Sequence, residues 1–195
     1  MSKWKPYDEM TVMGQRLPRV DGPEKVTGQA RYTYDQRPKG MLYGALLTSP
    51  HAAARMITIN ADRARALPGV KAVLTDVHPT GNVRFAGEYV AAVAAVTKQI
   101  ALDAIALIEV TWNERAHVVT MWDAIEEGAP RVFADKDNIT VNDRGDGDVE
   151  AGFAQAEAIV EAEFYTQVQT HSPLETHGSV AAWDGDELTV WDSTQ

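Results

Sequence analysis

The chain has 195 residues, 45% hydrophobic and 24% charged, an ordinary globular composition with enough apolar material for a sizeable core. Its formal net charge of −10 repels a phosphate backbone and an anionic bilayer, so neither nucleic acid nor a membrane surface is an expected partner. It has no cysteine, which removes disulfides, thiolate nucleophiles, Cys-ligated zinc and protein-held iron–sulfur clusters from this chain.

Residues 1–19 are polar and mixed and read as an extended arm. The opening MSKWKPYDEM lacks the apolar core of a signal peptide, and no run approaches the roughly 18 apolar residues of a membrane span. A cytoplasmic protein is the expectation. GQARYTYD sets Ala30, Tyr32 and Tyr34 on one face and predicts a strand. GMLYGALLTSP and ARMITIN predict two more. NADRARALPGV predicts a short helix with Asn60 as its cap, stopped after Leu67 by Pro68 and Gly69.

KAVLTD predicts a buried strand, and HPTGNVRF a turn leading outward. EYVAAVAAVT is apolar almost throughout; its valines and the preceding Gly87 favour a central strand over an alanine-rich helix. KQIALDAIAL predicts a helix capped by Thr97. IEVTWNE alternates Ile108, Val110 and Trp112 with polar residues, as a half-exposed strand does. MWDAIEEGAP predicts a short helix stopped by Gly128 and Pro130.

Composition shifts at ADKDNITVNDRGDGD, residues 134–148, which are rich in Asp, Asn and Gly and read as a linker. Beyond it, DVEAGFAQA predicts a helix capped by Asp148, AIVEAEFYTQVQ a strand, and GSVAAWDGDELTVWDS a hairpin turning at Asp-Gly. The fold class is therefore α/β (α+β): one unit over residues 20–133, then the opening elements of a second unit over 149–195. The second unit is too small to cover its own sheet. Its hairpin reads as an edge awaiting the rest of a domain.

The densest polar cluster is HSPLETHGS, where His171, Glu175 and His177 are of metal-ligand type. Pro173 argues against a helix there, a strand would set Glu175 and His177 on one face with His171 displaced by the loop, a mononuclear site needs a third convergent ligand, and the turn reading is favoured, so no metal site is assigned. His51 reads as a turn residue, and His78 and His117 as solvated loop residues. GDGDVE lacks the spacing of an EF-hand and reads as a capped helix start. There is no Gly-x-Gly-x-x-Gly, no phosphate loop and no nucleophile elbow, so no catalytic residue and no complete active site is assigned to this chain.

Taken in order, PRVDGPEKVTGQARYTYD, GMLYGALLTSPHAAARMITIN, LPGVKAVLT, FAGEYVAAVAAVT, GDVEAGFAQAEAIVEAEF, HSPLETHGSVAAWDGDELTVW and STQ resemble the molybdenum hydroxylase family of xanthine dehydrogenase and aldehyde oxidase. The resemblance is to the N-terminal part of the molybdopterin-binding large subunit. It implies an a/b hammerhead domain followed by the start of the first molybdopterin-binding domain. It also implies hydroxylation of an aldehyde or N-heterocycle by oxygen from water, at a molybdenum cofactor in molybdopterin dinucleotide form. Electrons would leave through 2Fe-2S clusters, commonly to FAD, both on partner subunits. The C-terminal molybdopterin-binding part of the large subunit would be a further partner.

The family's pterin loop and its catalytic glutamate have no counterpart in these residues. The resemblance carries over one cofactor-binding residue, Gln195, the amide of STQ, which would hydrogen-bond an oxo ligand of molybdenum. Ala53 stands where the family often has His, Tyr89 where it often has Pro, and the segment between Asp76 and Val83 is short. Two other readings stand beside this one: a scaffold module of a multisubunit oxidoreductase without chemistry of its own, and a small metalloenzyme built on His171, Glu175 and His177.

Overall fold

A computed structural model describes residues 5–6, 9–142 and 144–194. The chain divides into two units, Gly40–Tyr165 and Met1–Lys39 together with Thr166–Gln195.

In chain order the elements are α1 (Gly22–Val26), a 3-10 turn (Thr33–Asp35), β1 (Tyr43–Thr48), β2 (Ala54–Asn60), α2 (Asp62–Ala66), β3 (Val70–Leu74), β4 (Asn82–Val83), β5 (Tyr89–Ala95), α3 (Lys98–Ala106), β6 (Glu109–Glu114), α4 (Met121–Ala124), α5 (Val149–Gln155), β7 (Gly178–Asp184) and β8 (Glu187–Ser193). The mixture of helices and strands is the α/β (α+β) class expected from the sequence.

The Gly40–Tyr165 unit holds two antiparallel three-stranded sheets, in strand orders β1-β5-β3 and β4-β2-β6. β5 is the central strand of its sheet. Ala91 and Val93 face one cluster of buried side chains, Ala95 packs in a second with Ala45 and Ala101, and Val90 faces a third with Ala54 and Val83. Burial on both faces explains why this strand reads as an unbroken apolar run instead of an alternation. Helix α3 lies against β1 and β5 through Ala101 and Ala104, both fully buried. Small side chains at those positions let the helix backbone approach the sheet closely. Thr97 caps α3, its Oγ1 accepting the Ile100 N–H at 3.2 Å. At α2, Asn60 Oδ1 accepts the Asp62 N–H at 3.0 Å.

HPTGNVRF does not lead outward. It supplies β4, which pairs with β2 and buries Val83. The chain can turn back there because Gly81 takes φ +67°. Residues 134–148 contain no helix or strand among the described residues. Their start is nonetheless tied down: Asn138 Nδ2 donates to the Ala124 and Pro130 carbonyls at 3.1 and 3.0 Å, and its Oδ1 accepts the Val132 N–H at 3.0 Å.

AIVEAEFYTQVQ is exposed and unpaired among the described residues, so it is not a strand here. Its pattern is that of a strand, but a ladder needs a neighbour. GQARYTYD is also not a strand. Thr33–Asp35 forms a 3-10 turn in which the Asp35 carboxylate accepts the Tyr32 N–H at 3.0 Å. That local bond competes with extension of the backbone. This turn packs on both strands of the β7–β8 hairpin.

Candidate functional site

The hairpin that runs toward Gln195 pairs Gly178 with Ser193 through to Asp184 with Glu187, around a Gly185-Asp186 turn. Gly185 has φ +57° and no other residue of the turn is left-handed, the pattern of a type II′ turn. Sequence reading centred the turn on Asp184-Gly185; the ladder places it one residue later. On one face Val180, Ala182 and Trp191 are half-buried. On the other Trp183, Leu188 and Val190 are exposed, Trp183 at 69%. Gln195, the residue assigned to the cofactor from the STQ motif, lies outside the described residues.

In the segment before the hairpin, His171 and His177 bring their rings to 5.8 Å, tilted at 47°. Both are exposed, as is Glu175. No group of three potential metal ligands converges among the described residues. The Asp-rich stretch before α5 is a helix start, with Asp148 Oδ1 accepting the Ala151 N–H at 2.9 Å.

His51 is a turn residue, its N–H donating to Ser49 Oγ at 3.1 Å and its ring edge-on to Trp112 at 5.4 Å. His117 is exposed, with Nδ1 3.3 Å from the Arg115 carbonyl oxygen. His78 is not solvated as its loop composition predicts; its side chain is 6% exposed.

His78 belongs to a cluster that sequence reading missed. Its Nδ1 accepts the Gly81 N–H at 3.0 Å, so the proton sits on Nε2, which lies 3.2 Å from Glu88 Oε1. The same oxygen receives Arg84 Nη2 at 2.7 Å, and Glu88 Oε2 receives the Arg84 backbone N–H at 2.6 Å. Burial pushes the Glu88 carboxyl pKa up, but the Arg84 side chain, the Arg84 N–H and His78 outweigh it, and the group sits below its ordinary 4.5. The Arg84 guanidinium then stacks over Phe133 at 4.7 Å. The faint sequence signal was Arg84 four residues before Glu88, with Gly87 between to bend the chain. The cluster ties β4 to the start of β5 and builds a rigid corner, with every strong acceptor of Glu88 already engaged.

A pterin cofactor needs an enclosing set of backbone and side-chain donors. Among the described residues of 166–194 none is buried, and the sequence has no phosphate-binding glycine loop. The described residues therefore do not form a molybdopterin holder by themselves.

The a/b hammerhead domain of aldehyde oxidase and xanthine dehydrogenase matches residues 27–82, and the molybdopterin cofactor-binding domain matches residues 132–195. The nicotinate dehydrogenase large molybdopterin subunit of Eubacterium barkeri is 33% identical over 94% of this chain and 48% of its own length. The aldehyde oxidoreductase molybdenum-binding subunit PaoC of Escherichia coli is 30% identical over 97% of this chain and 28% of its own length. Among solved structures, quinoline 2-oxidoreductase from Pseudomonas putida 86 is 30% identical and covers 92% of this chain with a TM-score of 0.75, the match spanning 26% of that protein. The chain belongs to the xanthine dehydrogenase and aldehyde oxidase family and corresponds to part of its molybdopterin-binding large subunit. It spans about half the length of the first of these relatives and little more than a quarter of the second.

Proposed function

We propose that this chain is part of the large subunit of a molybdenum hydroxylase that oxidises an aldehyde or an N-heterocycle with oxygen drawn from water. The observation that carries the reading is the succession of two family domains along one chain, hammerhead at 27–82 and molybdopterin-binding at 132–195. Relatives named for nicotinate, aldehydes and quinoline support that substrate class.

In this reading residues 20–133 are the hammerhead domain, 134–148 a linker, and 149–195 the opening of the first molybdopterin-binding domain. The exposed Trp183, Leu188 and Val190 become the face on which the rest of the large subunit packs. Molybdopterin, in dinucleotide form, is held chiefly by that remaining part. Gln195 is the residue this chain offers to it, as a neutral amide donor. A 2Fe-2S subunit and an FAD subunit complete a cytoplasmic heteromer. No helix among the described residues is long and apolar enough to cross a membrane.

The test uses the complete large subunit with its companion subunits, assayed for molybdenum content and for oxygen-18 in the product after turnover in labelled water. Stoichiometric molybdenum and label from water are expected. A metal-free assembly, or product oxygen derived from O2, overturns the reading. Gln195→Ala is expected to lower kcat by roughly a hundredfold, the range for one positioned donor. An unchanged kcat in that variant favours a scaffold module that stands away from the chemistry.

A further inference from the structure

The Gly40–Tyr165 unit carries a second feature, which the family reading does not use. A pocket of about 540 Å³ opens beside β4 and the start of β5, within the size range of small-molecule sites. Its wall includes Val83 and two aromatic rings, Tyr89 and Phe133, both well exposed. Three arginines and two carboxylates line it, Arg84, Arg115, Arg131, Glu88 and Asp135.

Most of these charges are consumed internally. Arg84 and Glu88 are joined at 2.7 Å, with His78 on the same carboxylate oxygen. Arg131 pairs with Asp137 at 2.8 Å. Arg115 and Asp135 take part in none of the ion pairs among the described residues. Both are exposed, and Arg115 is held in place through its backbone N–H, which donates to the Ala53 carbonyl at 2.9 Å. The pocket thus offers one uncommitted cation, one uncommitted anion and an apolar, aromatic wall.

We propose that this pocket binds a free α-amino acid with an apolar or aromatic side chain. Arg115 takes the carboxylate, Asp135 takes the ammonium group, and the side chain lies on Tyr89, Val83 and Phe133. A charge-assisted bond to each charged group of the zwitterion, with its side chain laid on the apolar wall, uses both of the charges the pocket leaves free. A polyanion finds only one available cation, and a neutral apolar molecule leaves both charges unused. The proposal is independent of the molybdenum chemistry, and its failure leaves the family reading untouched.

Calorimetric titration of the 195-residue chain with three probes tests it: L-phenylalanine, 3-phenylpropionate, which lacks the amine, and phenethylamine, which lacks the carboxylate. L-Phenylalanine is expected to bind with Kd below about 1 mM, and the other two at least roughly tenfold more weakly. At exposed positions, Arg115→Ala is expected to remove the preference over phenethylamine alone and Asp135→Asn the preference over 3-phenylpropionate alone, each leaving the thermal midpoint of the chain unchanged. No binding of L-phenylalanine at about 10 mM overturns the proposal, as do equal affinities for all three probes. If a variant fails to fold, the three-probe comparison on the unaltered chain still decides.

Discussion

Two parts of this molecule use similar strand sequences to different ends. Between Ala45 and Ile108 lie all of the fully buried apolar side chains found among the described residues, packed around β5 and α3. The β7–β8 hairpin has an equally regular ladder and comparably apolar residues, yet none of its side chains is fully buried. The difference is not strand propensity. β5 has a neighbour on each edge and side chains packed on each face, whereas among the described residues β7 and β8 pair with each other and pack chiefly on one 3-10 turn. A two-stranded hairpin is marginal in water without further cover. The first region is thus held by its own core, and the second is a surface whose apolar face is uncovered within the described residues.

The comparison is broken most severely at the centre of the self-contained region. Val90 is fully buried between Ala54 and Val83. Val90→Asp places a carboxylate there with no partner and is expected to cost at least about 4 kcal/mol, enough to unfold the Gly40–Tyr165 unit at 25 °C. Loss of the cooperative urea transition is the readout. A folded variant with a normal midpoint would show that β5 is not the core strand.

A smaller effect is expected at the corner built by Glu88. Glu88→Gln keeps the shape but removes the charge that Arg84 and His78 share, at an expected cost of about 1–2 kcal/mol at pH 7, moderated because Arg84 is partly solvated. The pH dependence sharpens this. A carboxyl whose folded pKa lies below its unfolded value of about 4.5 stabilises the fold above that value. The contribution is lost as pH falls through the lower, folded pKa. The stability gap between the chain and its Glu88→Gln variant is therefore expected to hold at neutral pH and to narrow progressively below about pH 4.5, measured by urea unfolding at a series of pH values. A gap that widens in acid would mean that burial, not ion pairing, sets this group.

Of about the same size is the effect expected of Gly69→Ala. Gly69 has φ +93°, and a Cβ there would meet Ile100 Cδ1 at 2.8 Å and Val96 Cγ2 at 3.1 Å. The Ile100 terminus can move, so the expected cost is about 1–2 kcal/mol, mostly backbone strain.

The same contrast governs what the sequence disclosed. β5 and α3 were legible because burial on two faces and a capped amphipathic helix leave strong patterns, down to Thr97 as the cap. The segment AIVEAEFYTQVQ was misread because alternation reports a strand's tendency and not whether a partner is present. GQARYTYD was misread because one Asp35 side-chain bond decided a local competition that periodicity does not register. The Glu88 cluster left only the faint Arg84–Glu88 spacing, because it joins His78, Arg84 and Glu88 through a turn whose geometry depends on Gly81. For the cofactor, only the STQ amide at Gln195 was legible, and the family resemblance rested on the order of many weak motifs.

The smallest expected effect bears on the uncovered region. Trp183 is 69% exposed on the hairpin face it shares with Leu188 and Val190. In the 195-residue chain Trp183→Ser removes little buried area, and a change within about 0.5 kcal/mol is expected. Covered by the remainder of a large subunit, the same side chain would lie in a packed interface, where losing a large aromatic costs about 3–5 kcal/mol. The measurement is the difference between the two contexts: urea unfolding of the chain alone against thermal unfolding and subunit retention of the complete protein. A variant equally neutral in both would mean that this face stays in water, and the uncovered region would then be a surface in its own right instead of half of an interface.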